Sequence, residues 1–240
     1  MKEITCDTFF NGTIQVSQLK EGYRFSIDAV LLSHFPKLKD GDKIVDLGTG
    51  CGIIPLILSY RNPNIKITGI ELQTELFQIA THNIIENKIQ NIVSIHCMDI
   101  KALEFSFFDK HPDMIITNPP YIKQSSGKIN PQKQKAIARH EIEITLEELI
   151  KTVNRILRIY GRFVTIYPAE RLADIIFQMR KYNIEPKNIR AVHSYCDADA
   201  KLILIEGTKD GGPGLKILKP LIIYEKNGEY TDEVKNMFKP

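Results

Sequence analysis

Short runs of β-branched and aliphatic residues alternate along the chain with longer stretches whose apolar positions recur every three to four residues. The first pattern suits strands buried on both faces, and the second suits helices laid against them. Lys43 to Leu47, Ile65 to Ile70, Ile92 to Cys97, Met114 to Thr117 and Gly161 to Tyr167 read as strands, with two more near 189–195 and 201–206. Between them, the stretches from Ile53 to about Tyr60, Gln73 to Asn87, Leu146 to Ile159 and Pro168 to about Lys181 read as helices. In the third, apolar residues fall at 146, 149, 150, 153, 156 and 157 while Lys151, Arg155 and Arg158 occupy other faces, as in a helix that covers a sheet. Such alternation predicts a parallel sheet, and two final strands with little between them predict an antiparallel pair closing it. Residues 4–18 alternate loosely around Asn11-Gly12, a dipeptide suited to a type I′ turn, and predict an N-terminal β-hairpin. Leu221 to Tyr224 followed by Asn227-Gly228 predicts an edge hairpin near the other end.

Composition narrows the class without changing this picture. With 240 residues, 43% hydrophobic and 25% charged, the chain suits one large α/β domain with a small N-terminal addition. The longest apolar runs, such as Ile53 to Leu58, are too short to span a bilayer, and the first residues lack the apolar core of a signal peptide. The expectation is a cytoplasmic protein with no membrane segment. Cys6, Cys51, Cys97 and Cys196 are scattered with no Cys-x-x-Cys pair and read as reduced thiols. The six histidines have no zinc-binding spacing, so no metal is expected. A net charge of +3 decides little, but its distribution matters. Lys123, Lys128, Lys133, Lys135 and Arg139 follow one another with no acidic residue between them, and His140 comes next. That stretch reads as a basic loop, either a solvated surface or a contact for phosphates.

The basic loop lies directly after Asn118-Pro119-Pro120-Tyr121, where two prolines end the strand Met114 to Thr117. In open α/β sheets the carboxyl edge is where ligands bind. A second candidate follows the first strand of the alternation: Asp46-Leu47-Gly48-Thr49-Gly50-Cys51-Gly52 is strand end, glycine turn and helix start. Position 53 is Ile, so the Gly-x-Gly-x-x-Gly dinucleotide spacing is not met, and no Gly-Lys-Ser/Thr follows for a Walker loop. Glu71 ends the second strand, where a carboxylate can accept two hydrogen bonds from vicinal hydroxyls or simply favour the next helix's dipole. Asp99-Ile100 ends the third. Ahead of all these, Ser26 or Asp28 can cap a short helix through Leu32.

Asp46 to Gly52 resembles motif I of class I S-adenosylmethionine-dependent methyltransferases, and Asn-Pro-Pro-Tyr resembles the substrate-side signature of those that modify a planar or exocyclic nitrogen. Tyr23-Arg24-Phe25 with Asp28 and Leu31-Leu32 resembles a segment of RNA-modifying members that lies against the cofactor's methionine end. The resemblance implies a Rossmann-like class I methyltransferase fold, with a mostly parallel seven-stranded sheet, one antiparallel strand and a small N-terminal hairpin. Residues 1–35 would be the hairpin and a cofactor-covering segment, and 36–240 the methyltransferase domain. S-adenosyl-L-methionine would be held at its methionine end by Tyr23, Phe25, Asp28, Asp46 and the turn residues Gly48, Thr49, Gly50 and Gly52. Glu71 with Leu72 would bind the ribose side, Asp99 would accept from the adenine amino group, Ile100 would lie against the ring, and Asn118 would border the cofactor. For catalysis, the Asn118 side-chain oxygen and the Pro119 carbonyl would each accept one hydrogen of the reacting amine, Pro120 would fix the turn and Tyr121 would stack on a flipped base.

The implied acceptor is an adenine N6 in tRNA, as in the bacterial enzymes acting beside the valine anticodon, with Lys123, Lys128, Lys133, Lys135, Arg139 and His140 contacting the RNA. Three alternatives stay open: guanine N2 of ribosomal RNA, the side-chain amide of a release-factor glutamine, and a nucleotide- or RNA-binding module without methyl transfer. The release-factor enzymes carry a sizeable helical domain before motif I, whereas here about 42 residues precede the first strand.

Overall fold

The central strands are almost wholly apolar because both their faces are covered. In the computed structural model, which describes residues 3–20, 26–119 and 144–239, β3 (Lys43–Leu47), β4 (Lys66–Glu71), β5 (Val93–Cys97), β6 (Met114–Thr117) and β7 (Arg162–Pro168) lie parallel in the order β7-β6-β3-β4-β5. Successive side chains point to opposite faces. Ile44, Ile67, Met114, Ile116, Val164 and Ile166 enter one core, while Val45, Leu47, Ile70, Ile115 and Phe163 enter the other.

The first core is roofed by α1 (Ile27–His34), α2 (Ile53–Arg61) and α3 (Thr74–Glu86), and the second by α4 (Leu146–Ile156) and α5 (Leu172–Lys181). Every residue of α2 from Ile53 to Ser59 is buried, as a helix apolar all round must be. β8 (Ile184–His193) and β9 (Ala200–Lys209) extend the sheet beyond β7, with β9 antiparallel to both neighbours. These seven strands form the predicted mostly parallel sheet with one antiparallel strand. Two-residue strands β10 (Lys216–Ile217) and β11 (Leu221–Ile222) add to β8 in parallel, which makes nine.

The departures from the sequence reading have local causes. Strands β8 and β9 run longer than expected because their partly exposed faces intersperse polar residues that mask the apolar signal. Helix α4 stops at Ile156 although its apolar spacing continues: Leu157 is extended, and His111 Nδ1 and Lys209 Nζ bond the carbonyls of Ile156, Asn154 and Leu157. The edge hairpin shrinks to one bridge, Tyr224 with Tyr230, because Leu221–Ile222 pairs with β8 instead.

The N-terminal hairpin forms as predicted, from β1 (Ile4–Phe9) and β2 (Ile14–Leu19). Its loop has positive φ at Asn11 and Gly12, and Phe10 is left-handed as well. Ile14, Val16 and Leu19 enter the first core beside α1 and α3. The last helix, α6 (Asp232–Asn236), places Val234 in the same core.

Candidate active site

Four neighbouring strands, β6, β3, β4 and β5, deliver the candidate residues to one edge of the sheet, over roughly 14 Å at the usual ~4.8 Å strand spacing. Asp46 pairs with Ile116 on one side and Gly69 on the other. Continuing that register places Asn118 beside Gly48, with Glu71 level on the far side. Thr117 Oγ1 donates to Leu47 O (2.7 Å) and Thr165 Oγ1 donates to Thr117 O (2.8 Å), so buried hydroxyls fasten the strand end that carries Asn118. Asn118 is half-buried and Pro119 buried.

The glycine turn is tied down from several sides. Gly48, Gly50 and Gly52 all have positive φ (74°, 58° and 82°), which requires glycine if the chain is to turn here without strain. The amides of Gly48 and Thr49 both donate to Ile70 O, at 2.9 and 3.0 Å, and Gly52 N donates to Thr49 O at 2.9 Å. Glu71, 3% exposed, accepts from Gly50 N (2.8 Å) with one carboxylate oxygen and from Gln73 N (2.9 Å) with the other. It thus links the turn to the start of α3. Each oxygen keeps acceptor capacity beyond these two bonds. Burial raises the Glu71 pKa above the ordinary carboxylate value.

Asp46 is wholly buried at the base of the turn. Its Oδ2 accepts from Thr49 Oγ1 at 2.6 Å, while Oδ1 has no hydrogen-bond partner among the described residues. Burial, aided by the nearby Glu71 charge, pushes its pKa up to about 7. A buried carboxylate oxygen left unpartnered by the described residues points to a donor from beyond them. At Gly48 a Cβ would meet nothing within 4 Å among the described residues, which leave room on the outer side of the turn.

Asp99 follows β5 and caps the short 3-10 turn Ile100–Ala102, accepting from Lys101 N at 2.8 Å. Ile100 is buried and Leu72 is 38% exposed at the sheet edge. Ser26 caps α1 and accepts from the amide of Asp28, whose pKa burial raises. The structure therefore brings Asp46, Gly48, Thr49, Gly50, Gly52, Glu71, Leu72, Asp99, Ile100, Asn118 and Pro119 to one edge. Tyr23, Phe25, Pro120, Tyr121, Lys123, Lys128, Lys133, Lys135, Arg139 and His140 lie outside the described residues. Among the described residues there is no group of three metal-ligating side chains, and no helix is long and apolar enough to cross a membrane.

One site feature had no sequence signal. Gly69 on β4 lies under the turn, where an added Cβ would sit 2.6 Å from Ile95 Cδ1 and 3.1 Å from Thr49 Oγ1. Gly69→Ala therefore forces Ile95 Cδ1 aside and presses on Thr49. The expected cost is about 1–3 kcal/mol of stability, read as a lowered urea midpoint; an unchanged midpoint would show that the turn yields freely.

A buried acid near the end of the first core strand with one carboxylate oxygen unpartnered among the described residues, a three-glycine turn and further acids at the ends of the next two strands define a class I S-adenosylmethionine-dependent methyltransferase. Residues 26–167 match the methyltransferase small domain family, and the chain belongs to that family. A Porphyromonas gingivalis protein named tRNA1(Val) (adenine(37)-N6)-methyltransferase is 28% identical over 245 aligned positions, covering 98% of this chain and 94% of its own. Among solved structures, a predicted O-methyltransferase from Agrobacterium tumefaciens superposes with a TM-score of 0.70 at 20% identity, over 88% of this chain and 94% of its own. The geranyl diphosphate C-methyltransferase from Streptomyces coelicolor, solved with Mg2+, geranyl diphosphate and S-adenosyl-L-homocysteine, superposes at 0.53 and 16% identity, over 75% and 78%. These two likenesses bear on the fold. The chain is an enzyme of the methyltransferase class, and S-adenosyl-L-methionine is its cofactor.

Proposed function

We propose that the enzyme methylates N6 of an adenine in tRNA, at position 37 beside the anticodon of tRNA1(Val), as the name of its Porphyromonas gingivalis relative describes for that protein. The observation that carries this reading is the placement of Asn118-Pro119 at the end of β6, directly beside the glycine turn that ends β3. When bound, the cofactor supplies a methyl group on a sulfonium centre, already activated for transfer. The chain's task is then to hold an amine in line with it, and orientation of that kind is worth on the order of 7–11 kcal/mol at its favourable limit.

In this reading Asp46 and the turn hold the cofactor's methionine end together with Tyr23, Phe25 and Asp28. Glu71 accepts from the ribose hydroxyls beside Leu72, and Asp99 and Ile100 bind the adenine. An exocyclic amine conjugated with its ring is a poor nucleophile, and two neutral acceptors that each take one of its hydrogens favour the pyramidal geometry of attack. The Asn118 oxygen and the Pro119 carbonyl serve as those acceptors, with Pro120 fixing the turn and Tyr121 stacking on the base. Residues 1–35 act as hairpin and cofactor cover, 36–240 as the methyltransferase domain, and the protein works in the cytoplasm. Lys123, Lys128, Lys133, Lys135, Arg139 and His140 contact the RNA.

Incubating the protein with methyl-labelled cofactor and separate pools of tRNA, ribosomal RNA and release factor, then digesting each, tests the acceptor. The expected product is N6-methyladenosine in tRNA. Label in guanosine or in glutamine, with none in tRNA adenosine, replaces this reading with one of those substrates. Neutralising Lys133 and Lys135 is expected to raise the KM for tRNA and flatten its salt dependence. A KM unchanged by both the substitutions and added salt would remove the loop from substrate binding.

A further inference from the structure

Two asparagines one turn apart, Asn83 on the buried face of α3 and the half-buried Asn87 at its C-cap, make hydrogen bonds that the site described above does not explain. Asn87 accepts from Gln15 N (2.9 Å) and donates to Gln15 O (2.7 Å). Asn83 repeats the pattern two residues along the same strand, accepting from Ser17 N (2.8 Å) and donating to Ser17 O (2.9 Å). Four residues of helix advance about 6.0 Å and two residues of strand about 6.8 Å, so the amides at i and i+4 match alternate residues of β2. The side chains of α3 thus stand in for a missing strand along the edge of β2 that faces away from β1.

Only one of the two also reaches the cofactor turn. Asn83, 1% exposed, donates from the same nitrogen to Cys51 O at 2.8 Å, between Gly50 and Gly52. Asn87 donates instead to Asn83 O within its own helix. The two hydrogens of the Asn83 amide therefore join the hairpin to the turn carbonyl of Cys51. Removing the side chain leaves three buried or half-buried backbone groups, Ser17 N, Ser17 O and Cys51 O, without it.

We propose that Asn83 is a positioning residue for S-adenosylmethionine, coupling the N-terminal hairpin to the glycine turn so that cofactor binding and hairpin order reinforce each other. It touches no reacting atom and acts by fixing the Cys51 carbonyl, and with it the peptide that leads into Gly52. Asn87 is the internal control, since it holds the same strand and does not contact the turn. This inference rests on the cofactor alone and stands whichever acceptor is methylated.

Asn83→Ala and Asn87→Ala, each checked by circular dichroism to be folded at the working temperature, are titrated with S-adenosylmethionine by calorimetry. Asn83→Ala is expected to weaken binding about tenfold, and Asn87→Ala to stay within about twofold of wild type. Coupling is reciprocal, so in the wild-type protein saturating cofactor should slow hydrogen exchange at the Ser17 amide about tenfold more than at amides of β8. Equal loss of affinity in the two variants, or wild-type affinity in Asn83→Ala, overturns the proposal. Should Asn83→Ala fail to fold, the exchange experiment on the wild-type protein decides alone: no excess protection at Ser17 overturns it.

Discussion

Asn118→Ala is expected to lower kcat by about 10²–10³-fold, the usual cost of removing one preorganised hydrogen-bond partner from a transition state, while the Kd for S-adenosylmethionine stays within a few-fold. The asymmetry follows from where the residue sits. The groups proposed to anchor the cofactor, Asp46, the glycine turn, Glu71 and Asp99, belong to β3, β4 and β5 or the turns after them, whereas Asn118 follows β6 on the opposite side of the turn. On the proposed roles, losing its amide removes an acceptor for the amine and only a border contact for the cofactor. The strand end itself remains fastened through Thr117 and Thr165, so the backbone carbonyl of Pro119 keeps its place. Asn118→Asp retains an acceptor at the same position and should keep more activity than the alanine variant. Single-turnover methylation at saturating cofactor, with binding measured separately, separates the two effects. An alanine variant turning over within a few-fold of wild type would sink the role assigned to Asn118.

Much of this site was legible in the sequence because strand-end positions are fixed by short-range signals. The apolar runs located β3, β4, β5 and β6 to within a residue or two, and the polar residues near the carboxyl end of each, Asp46, Glu71, Asp99 and Asn118, then stood out as candidates. Two β-branched runs with little between them likewise announced the antiparallel pair β8 and β9. What stayed hidden depends on which surfaces meet across the fold. Gly69 reads as an ordinary weak point in a strand until Thr49 is seen above it. The stripe Leu76, Ile79, Ala80, Asn83, Ile84 and Asn87 is interrupted by two amides, which is a signal of buried hydrogen bonding, but the partner could be identified only once β2 was placed against α3. The short parallel strand β10 escaped, and β11, which reads as one arm of an edge hairpin, takes a different partner, since two residues carry no period and their pairing is settled by the edge that β8 leaves open.

Asp46→Asn should make the cofactor-free protein more stable than wild type at pH 8, and that advantage should shrink steadily as the pH falls towards 4. The sign follows from linkage. The folded-state pKa of about 7 lies above the unfolded value of 3.8, so between these limits the unfolded chain loses its proton while the folded one keeps it. Stability of the wild type therefore falls with rising pH across that window, by on the order of 4 kcal/mol for a shift of this size, and the neutral amide is spared the loss. Burial is the chief cause of the direction and the like charge of Glu71 adds to it; the Thr49 hydroxyl opposes both but is a single donor, and nothing among the described residues partners Oδ1. Urea denaturation of both proteins from pH 4 to 8 measures the difference, and the test lies in its slope, because a constant offset from repacking an amide carries no pH dependence. A difference that is flat in pH would show that the buried acid ionises as freely as one in water. The same carboxylate then makes a prediction about function. If it holds the cofactor's ammonium, binding at pH 6 must ionise it and release a proton, so the observed binding enthalpy should vary with the ionisation enthalpy of the buffer, and that variation should disappear in Asp46→Asn together with most of the affinity. Buffer-independent enthalpy in the wild type would place the ammonium elsewhere.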